Sequence, residues 1–337
     1  MKVAVLGAGS WGTSLAVLAS RAGGQVTLWG RDAHFIEAMR ASGRNARFFP
    51  DLELPPLAFS HDLRAAVQGA ELVVCALPSA TLPLMAGQIA PMLDENAILV
   101  SGTKGLHPET GLRASQIWAQ AGLNEERFVA LSGPNLAREI VAGAATSSVV
   151  SSKSPDGARR AQLAFDSGLF RVYTNADLLG VELGGALKNV VAIAAGIGDG
   201  RGFGDNAKAA LMTRHWREMA RLATALGARE STLWGLSGLG DLLATCASAQ
   251  SRNHRLGALL GQGASLEEAL SEIGQTVEGV HTCRAALELG QKCGVFLPVT
   301  QGLGAVLWGG LPVERALAGL LARPGRSESE DETPQMG

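Results

Sequence analysis

A chain of 337 residues is longer than one hydrophobic core usually serves, so two domains are expected. With 47% apolar and 18% charged residues it excludes a disordered polymer, and its 43 glycines and 13 prolines follow no repeat that would build a fibre. The net charge is −2, and no dense Lys/Arg tract suggests a nucleic-acid surface, so a bound anion should meet a local site.

The N-terminus runs directly into a strand, Val3–Leu6, with no charged segment, apolar run and cleavage site of a signal peptide. A helix follows over Thr13–Ala22, stopped by Gly23-Gly24, and a second strand spans Val26–Trp29. Further strands are expected at Leu72–Ala76, Ala97–Ser101, Phe128–Leu131 and Ser147–Ser151, with helical stretches such as Leu82–Met92 and Leu112–Ala121 between them. Apolar runs such as Leu72–Ala76 suit strands covered on both faces. The expected N-terminal fold is therefore α/β, a doubly wound, Rossmann-like, mainly parallel sheet.

From about Asn175 the strand signals fade and helices take over, at Leu178–Gly196, Ala207–Leu226, Leu266–Glu272 and Gly279–Cys293. We expect residues 1–175 to form this Rossmann-like domain and residues 176–323 a separate all-α domain. Residues 324–337, rich in Ser, Glu and Asp, read as a disordered tail. The most apolar run, Val190–Ile197, is far shorter than the ~20 residues that span a bilayer. Cys75, Cys246, Cys283 and Cys293 form no CxxC pair and read as buried small apolar groups in a reducing, cytoplasmic compartment. With six scattered histidines, no metal site is expected.

Between the first strand and helix lies Gly7-Ala8-Gly9-Ser10-Trp11-Gly12, a GxGxxG fingerprint in the context its mechanism needs. Gly7 permits the tight turn, Gly9 lets the backbone approach a pyrophosphate, and Gly12 lets the helix pack against the sheet. The helix N-terminus then offers free N–H groups and a positive dipole end to phosphates. The second strand ends in Trp29-Gly30-Arg31-Asp32. Arg31 is placed to accept a 2′-phosphate, which makes NADP as well as NAD a candidate; Asp32 could grip a ribose or simply cap the next helix.

Lys188 lies in a helix with few other charges, beside Gly184, Gly185, Val191 and Ala192. Such neighbours leave an ammonium poorly hydrated and poise it for proton transfer, although a lysine can also snorkel to the surface. Asp241 opens an apolar helix, where it could be an N-cap or the carboxylate that orients Lys188. Ser251-Arg252-Asn253 offers a guanidinium, a hydroxyl and an amide to a phosphate dianion, or is a solvated loop. Lys104 follows a strand end, on the edge of an α/β sheet that faces the ligand crevice.

Taken together, GAGSWGT, SGTKGL, LSGP, GGALKNVVAIAAGI, LSGLGDLLATC, SRNHRLG and TVEGV, in that order over about residues 1–322, resemble the bacterial NAD(P)-dependent sn-glycerol-3-phosphate dehydrogenase family. The resemblance implies interconversion of glycerol 3-phosphate and dihydroxyacetone phosphate, supplying glycerol 3-phosphate for glycerophospholipid synthesis, by a homodimer. It implies that Lys188 is the proton acceptor and that Lys104 touches substrate and cofactor. Gly133, Asn135, Asp241, Ser251, Arg252 and Asn253 would line the substrate site, with Arg252 also near the cofactor. Ser10, Trp11, Arg31, Ala137 and Glu278 would contact the dinucleotide. The chain departs from the family in two places: Asn135 stands where Ser or Thr is usual, and Thr276 where a Val-Val pair usually precedes the Glu.

Overall fold

The computed structural model describes residues 1–322; the segment expected to be a disordered tail, residues 324–337, lies outside them. Eight strands are described: β1 (Lys2–Leu6), β2 (Gln25–Trp29), β3 (Ala58–Ser60), β4 (Leu72–Cys75), β5 (Ile98–Ser101), β6 (Phe128–Ser132), β7 (Thr146–Ser152) and β8 (Phe170–Asn175). Helices α1 (Ser10–Arg21), α2 (Ala33–Ser42), α3 (Leu63–Val67), α4 (Leu82–Ile89), α5 (Ala114–Gln120), α6 (Ala137–Val141) and α7 (Pro155–Phe165) intervene.

The strands pair in the order β3-β2-β1-β4-β5-β6-β7-β8, parallel throughout except between β6 and β7. The chain reverses its direction of travel through the sheet between β1 and β4, and a crevice opens at the carboxyl ends of such a pair. Alternation along β1 sends Val3 and Val5 into one core with Leu15 and Phe165, and Ala4 and Leu6 into another with Val73, Leu99 and Trp118. Apolar layers on both faces are why these strands read as unbroken apolar runs.

Two strands escape the sequence reading. β3 has only three residues, too few for a pattern. In β8 the buried Phe170 and Val172 alternate with exposed Arg171 and Tyr173, as suits an edge strand with one solvated face. The expected helix over Leu112–Ala121 begins later, at Ala114, behind a cap at Arg113. The stretch Leu82–Met92 divides into α4 and a 3₁₀ turn, Ala90–Met92, that carries Pro91.

After β8 come α8 (Leu178–Gly200), α9 (Gly204–Ala225), α10 (Glu230–Leu233), α11 (Asp241–Ala247), α12 (Arg252–Gly261), α13 (Leu266–Ile273), α14 (Glu278–Cys293), α15 (Pro298–Trp308) and α16 (Val313–Leu321). Asp177 caps α8 by accepting the Gly180 N–H at 2.9 Å. Among the described residues α8 is the one helix long and apolar enough to cross a membrane, but 89% of its most apolar window is buried inside the protein. It is the hub of the helical part, packed against α9, α11, α12 and α14.

The α8–α12 contact is backbone on backbone. A Cβ on Gly196 would sit 2.0 Å from the His254 carbonyl oxygen, and one on Gly257 2.0 Å from that of Ile193. Cys75, Cys246 and Cys283 are buried as expected, whereas Cys293 is exposed. Cys293 ends α14 ahead of the left-handed Gly294, and such a terminus lacks packing on all sides.

Candidate active site

At the carboxyl end of β1, the Gly7 N–H donates to the Trp29 carbonyl at 2.9 Å, and Gly7 has φ of +116°, a conformation that L side chains rarely adopt. A Cβ on Gly12 would meet the Gly7 carbonyl oxygen at 1.8 Å, which excludes any side chain there. At Gly9 a Cβ would meet nothing within 4 Å, so the backbone faces open space at the N-terminus of α1. The loop is tight where the fold needs it and open where a pyrophosphate would lie, so these residues fit a dinucleotide.

Around this loop, Asp32 caps α2, accepting the Phe35 N–H at 3.1 Å, and Arg31 is exposed at the end of β2. Ser10 opens α1, and its carbonyl and that of Ala137, at the start of α6, both accept the Ser14 hydroxyl, at 2.9 and 3.0 Å. Trp11 Nε1 donates to the Gly102 carbonyl at 2.8 Å, and the Lys104 ammonium stands 5.4 Å from the centre of the Trp11 ring.

Lys104, Lys188 and Asp241 meet although the loop after β5, α8 and α11 supply them separately. Lys104 Nζ donates to Asp241 Oδ2 at 2.8 Å and to the Gly133 carbonyl at 2.8 Å. Lys188 Nζ donates to Asp241 Oδ1 at 3.0 Å and to Thr245 Oγ1 at 2.6 Å. Asp241 is 2% exposed and Lys188 6%. Burial pushes the Asp241 carboxyl up, but the two ammonium groups outweigh it and hold it below its ordinary value. Burial brings Lys104 down to about 8; Asp241 opposes the shift and Lys188 adds to it. One carboxylate serves two ammonium groups, so the cluster carries a surplus positive charge when both are protonated.

A π-helical turn, Leu236–Gly240, leads directly into Asp241. Such turns commonly mark functional sites.

The second cluster lies at the start of α12. Ser251 caps the helix, accepting the His254 N–H at 3.2 Å. Asn253 Nδ2 donates to Asn189 Oδ1 at 2.8 Å, and its Oδ1 accepts the Gly279 N–H at 2.9 Å. Asn189 Nδ2 in turn donates to the Lys104 carbonyl at 2.9 Å. Burial pushes Arg252 below its ordinary value, with the Glu278 carboxylate opposing the shift, and a guanidinium remains charged regardless. From the start of α14, Glu278 reaches Ser79 beyond β4, accepting its N–H at 3.0 Å and its hydroxyl at 2.5 Å.

The structure thus joins Lys104, Gly133, Lys188 and Asp241 directly, and ties Asn253 to them through Asn189. Asn135 turns elsewhere: its Nδ2 donates to Ser148 Oγ on β7 at 3.1 Å. The sequence reading missed Asn189 and Thr245. Thr245 follows Asp241 by one helical turn, a spacing that shares a face, so that signal was available once Asp241 was singled out. Asn189 had no such signal beyond adjacency to Lys188.

Two family models match: the N-terminus of NAD-dependent glycerol-3-phosphate dehydrogenase over residues 2–158, and its C-terminus over residues 177–318. A glycerol-3-phosphate dehydrogenase, NAD(P)+-dependent by name, from Moorella thermoacetica is 46% identical, covering 97% of this chain and 98% of the relative. One from Clostridium perfringens is 42% identical over 97% and 99% of the two chains. The crystal structure of glycerol-3-phosphate dehydrogenase from Coxiella burnetii superposes with a TM-score of 0.90 at 37% identity, covering 96% of this chain and 99% of that one.

Proposed function

Because the chain belongs to the NAD-dependent glycerol-3-phosphate dehydrogenase family, we propose how its own residues carry out that family's reaction. The protein is an NAD(P)-dependent oxidoreductase that interconverts sn-glycerol 3-phosphate and dihydroxyacetone phosphate. The observation that carries the residue assignment is the Asp241 carboxylate clamped between Lys104 and Lys188.

Residues 1–175 hold the dinucleotide and residues 176–323 supply the catalytic helices. The Gly7–Gly12 loop and the first turn of α1, with Ser10 and Trp11, take the pyrophosphate; Arg31, Ala137 and Glu278 line the remainder. When bound, the nicotinamide accepts or returns the hydride at C2 of the substrate. Lys188 gives its proton to the C2 oxygen during reduction and takes one during oxidation. Asp241 holds the Lys188 ammonium in direction, with Thr245 as its second acceptor. Lys104 adds positive charge where negative charge grows on that oxygen. Ser251 and Arg252 grip the phosphate, Asn253 braces them, and the remote grip fixes C2 in place. Gly133 turns its carbonyl to Lys104, and Asn135 backs this wall through Ser148.

The direct test follows NADPH absorbance on adding dihydroxyacetone phosphate, then repeats with NADH and with unphosphorylated dihydroxyacetone. Rapid oxidation with dihydroxyacetone phosphate is expected, and slow but measurable oxidation with unphosphorylated dihydroxyacetone. No oxidation with either cofactor, in protein that binds NADPH, would overturn the reading.

Two further outcomes are expected. Lys104 loses its proton near pH 8 in the free enzyme, so kcat/KM for ketone reduction should fall as pH rises through about 8. Lys104→Arg, which keeps its charge, should move that alkaline limb upward. A limb that stays in place would assign it to another group. Arg31→Ser should raise KM for NADPH about tenfold and leave that for NADH within about twofold, since only the 2′-phosphate is lost as a partner. Equal changes for both cofactors would remove Arg31 from discrimination.

We place the enzyme in the cytoplasm as a homodimer; three buried free thiols support a reducing compartment. Sedimentation equilibrium at the subunit mass would exclude the dimer.

A further inference from the structure

Asp199 lies one residue before the end of α8 and takes no part in the lysine cluster. Its carboxylate accepts His254 Nε2 at 2.7 Å and Lys208 Nζ at 2.6 Å. Burial pushes this carboxyl up, but Lys208 and His254 outweigh it and hold it below its ordinary value. His254 is the residue immediately after Ser251-Arg252-Asn253, and its side chain is only 11% exposed.

The first turn of α12 is therefore strapped to α8 at two points by consecutive residues, Asn253 to Asn189 and His254 to Asp199. The two anchor positions lie about 15 Å apart along the α8 axis at the helical rise per residue. The Gly196–His254 and Gly257–Ile193 contacts hold the body of α12 flat on α8. The backbone contact sets how closely the turn lies on α8, and the two side-chain straps, reaching different points of that helix, add a fixed direction to it. Arg252 projects from that turn, and Lys188 is the residue next to the first anchor.

We propose that Asp199 is a positioning residue for substrate binding: through His254 it sets the direction of the Arg252 guanidinium at the phosphate cradle. The proposal rests on reading Ser251-Arg252-Asn253 as the phosphate cradle. Asp199 touches neither reactant, so its effect falls on the phosphate grip. A loss of α8–α9 corner stability alone would instead depress turnover of every ketone.

Steady-state reduction of dihydroxyacetone phosphate and of unphosphorylated dihydroxyacetone, by Asp199→Ala, His254→Ala and His254→Gln, tests it. Asp199→Ala and His254→Ala should each raise KM for the phosphorylated ketone about tenfold, with kcat within about twofold and dihydroxyacetone turnover unchanged. His254→Gln, whose amide still donates to Asp199, should recover KM to within about threefold of the parent. Parallel loss on both ketones, or no change on either, would overturn the proposal. Arg252→Ala is the reference and should abolish the preference for the phosphorylated ketone. If that preference survives Arg252→Ala, the cradle reading itself falls; if it is lost while Asp199→Ala stays at the parent KM, only the role of Asp199 falls.

Discussion

Replacing Lys188 with alanine should lower kcat for dihydroxyacetone phosphate reduction by about 10²–10⁴-fold, the range expected for a positioned general acid. NADPH affinity should stay within about twofold, since Lys188 sits on α8 while the fingerprint loop lies beyond β1. The loss should appear in kcat and kcat/KM together, because the proton transfer is made only in the transition state. Asp241 keeps Lys104 as a partner in this variant, so the carboxylate is not stranded. Rapid-quench or stopped-flow turnover, with NADPH titration by fluorescence, measures both quantities. Near-normal turnover would transfer the proton role, with Lys104 first in line at 2.8 Å from the same carboxylate.

Asp241→Leu should cost more than activity. It leaves the buried Lys188 ammonium and the part-buried Lys104 ammonium without their carboxylate, and stranding a buried charge typically destabilises by about 3–5 kcal/mol. Urea denaturation should show that loss, and turnover should fall by at least about 100-fold as Lys188 loses its direction. The parent protein should show the matching pH dependence. The Asp241 carboxyl is held below its unfolded value, so its contribution is present above the ordinary carboxylate range and disappears as pH falls through the lower, folded value. The variant lacks that component, and its acid-unfolding curve should be shallower. A variant as stable as the parent would mean that solvent or deprotonation relieves both lysines without a counter-charge.

Much of the molecule was legible because the evidence for it is local. The turn at Gly7, the close packing at Gly12 and the helix that follows are all demands on neighbouring residues, so a six-residue string declares them. β1, β4 and β5 were legible because layers on both faces require continuous apolar runs. Lys188 stood out as a charge in an otherwise apolar helix. β3 and β8 were not legible, since a three-residue strand and an edge strand each lack that continuous run. The reversed direction of β7 was also hidden, because residue pattern reports burial and not strand direction.

By itself, then, the sequence determined the sheet-then-helix organisation, the fingerprint loop and its context, and which residues were candidates for proton transfer and phosphate binding. The tertiary structure alone decided which of them meet. Asp241 as cap or counter-ion was undecidable along the chain, because Lys188 and Asp241 come together only when α11 packs on α8. Lys104 joins them from the loop after β5, and Asn189, Thr245 and Asp199 gained their partners through the same packing. The reason is physical: hydrogen bonds and ion pairs depend on separations of about 3 Å in space, which residue order constrains only within a helical turn or a strand pair.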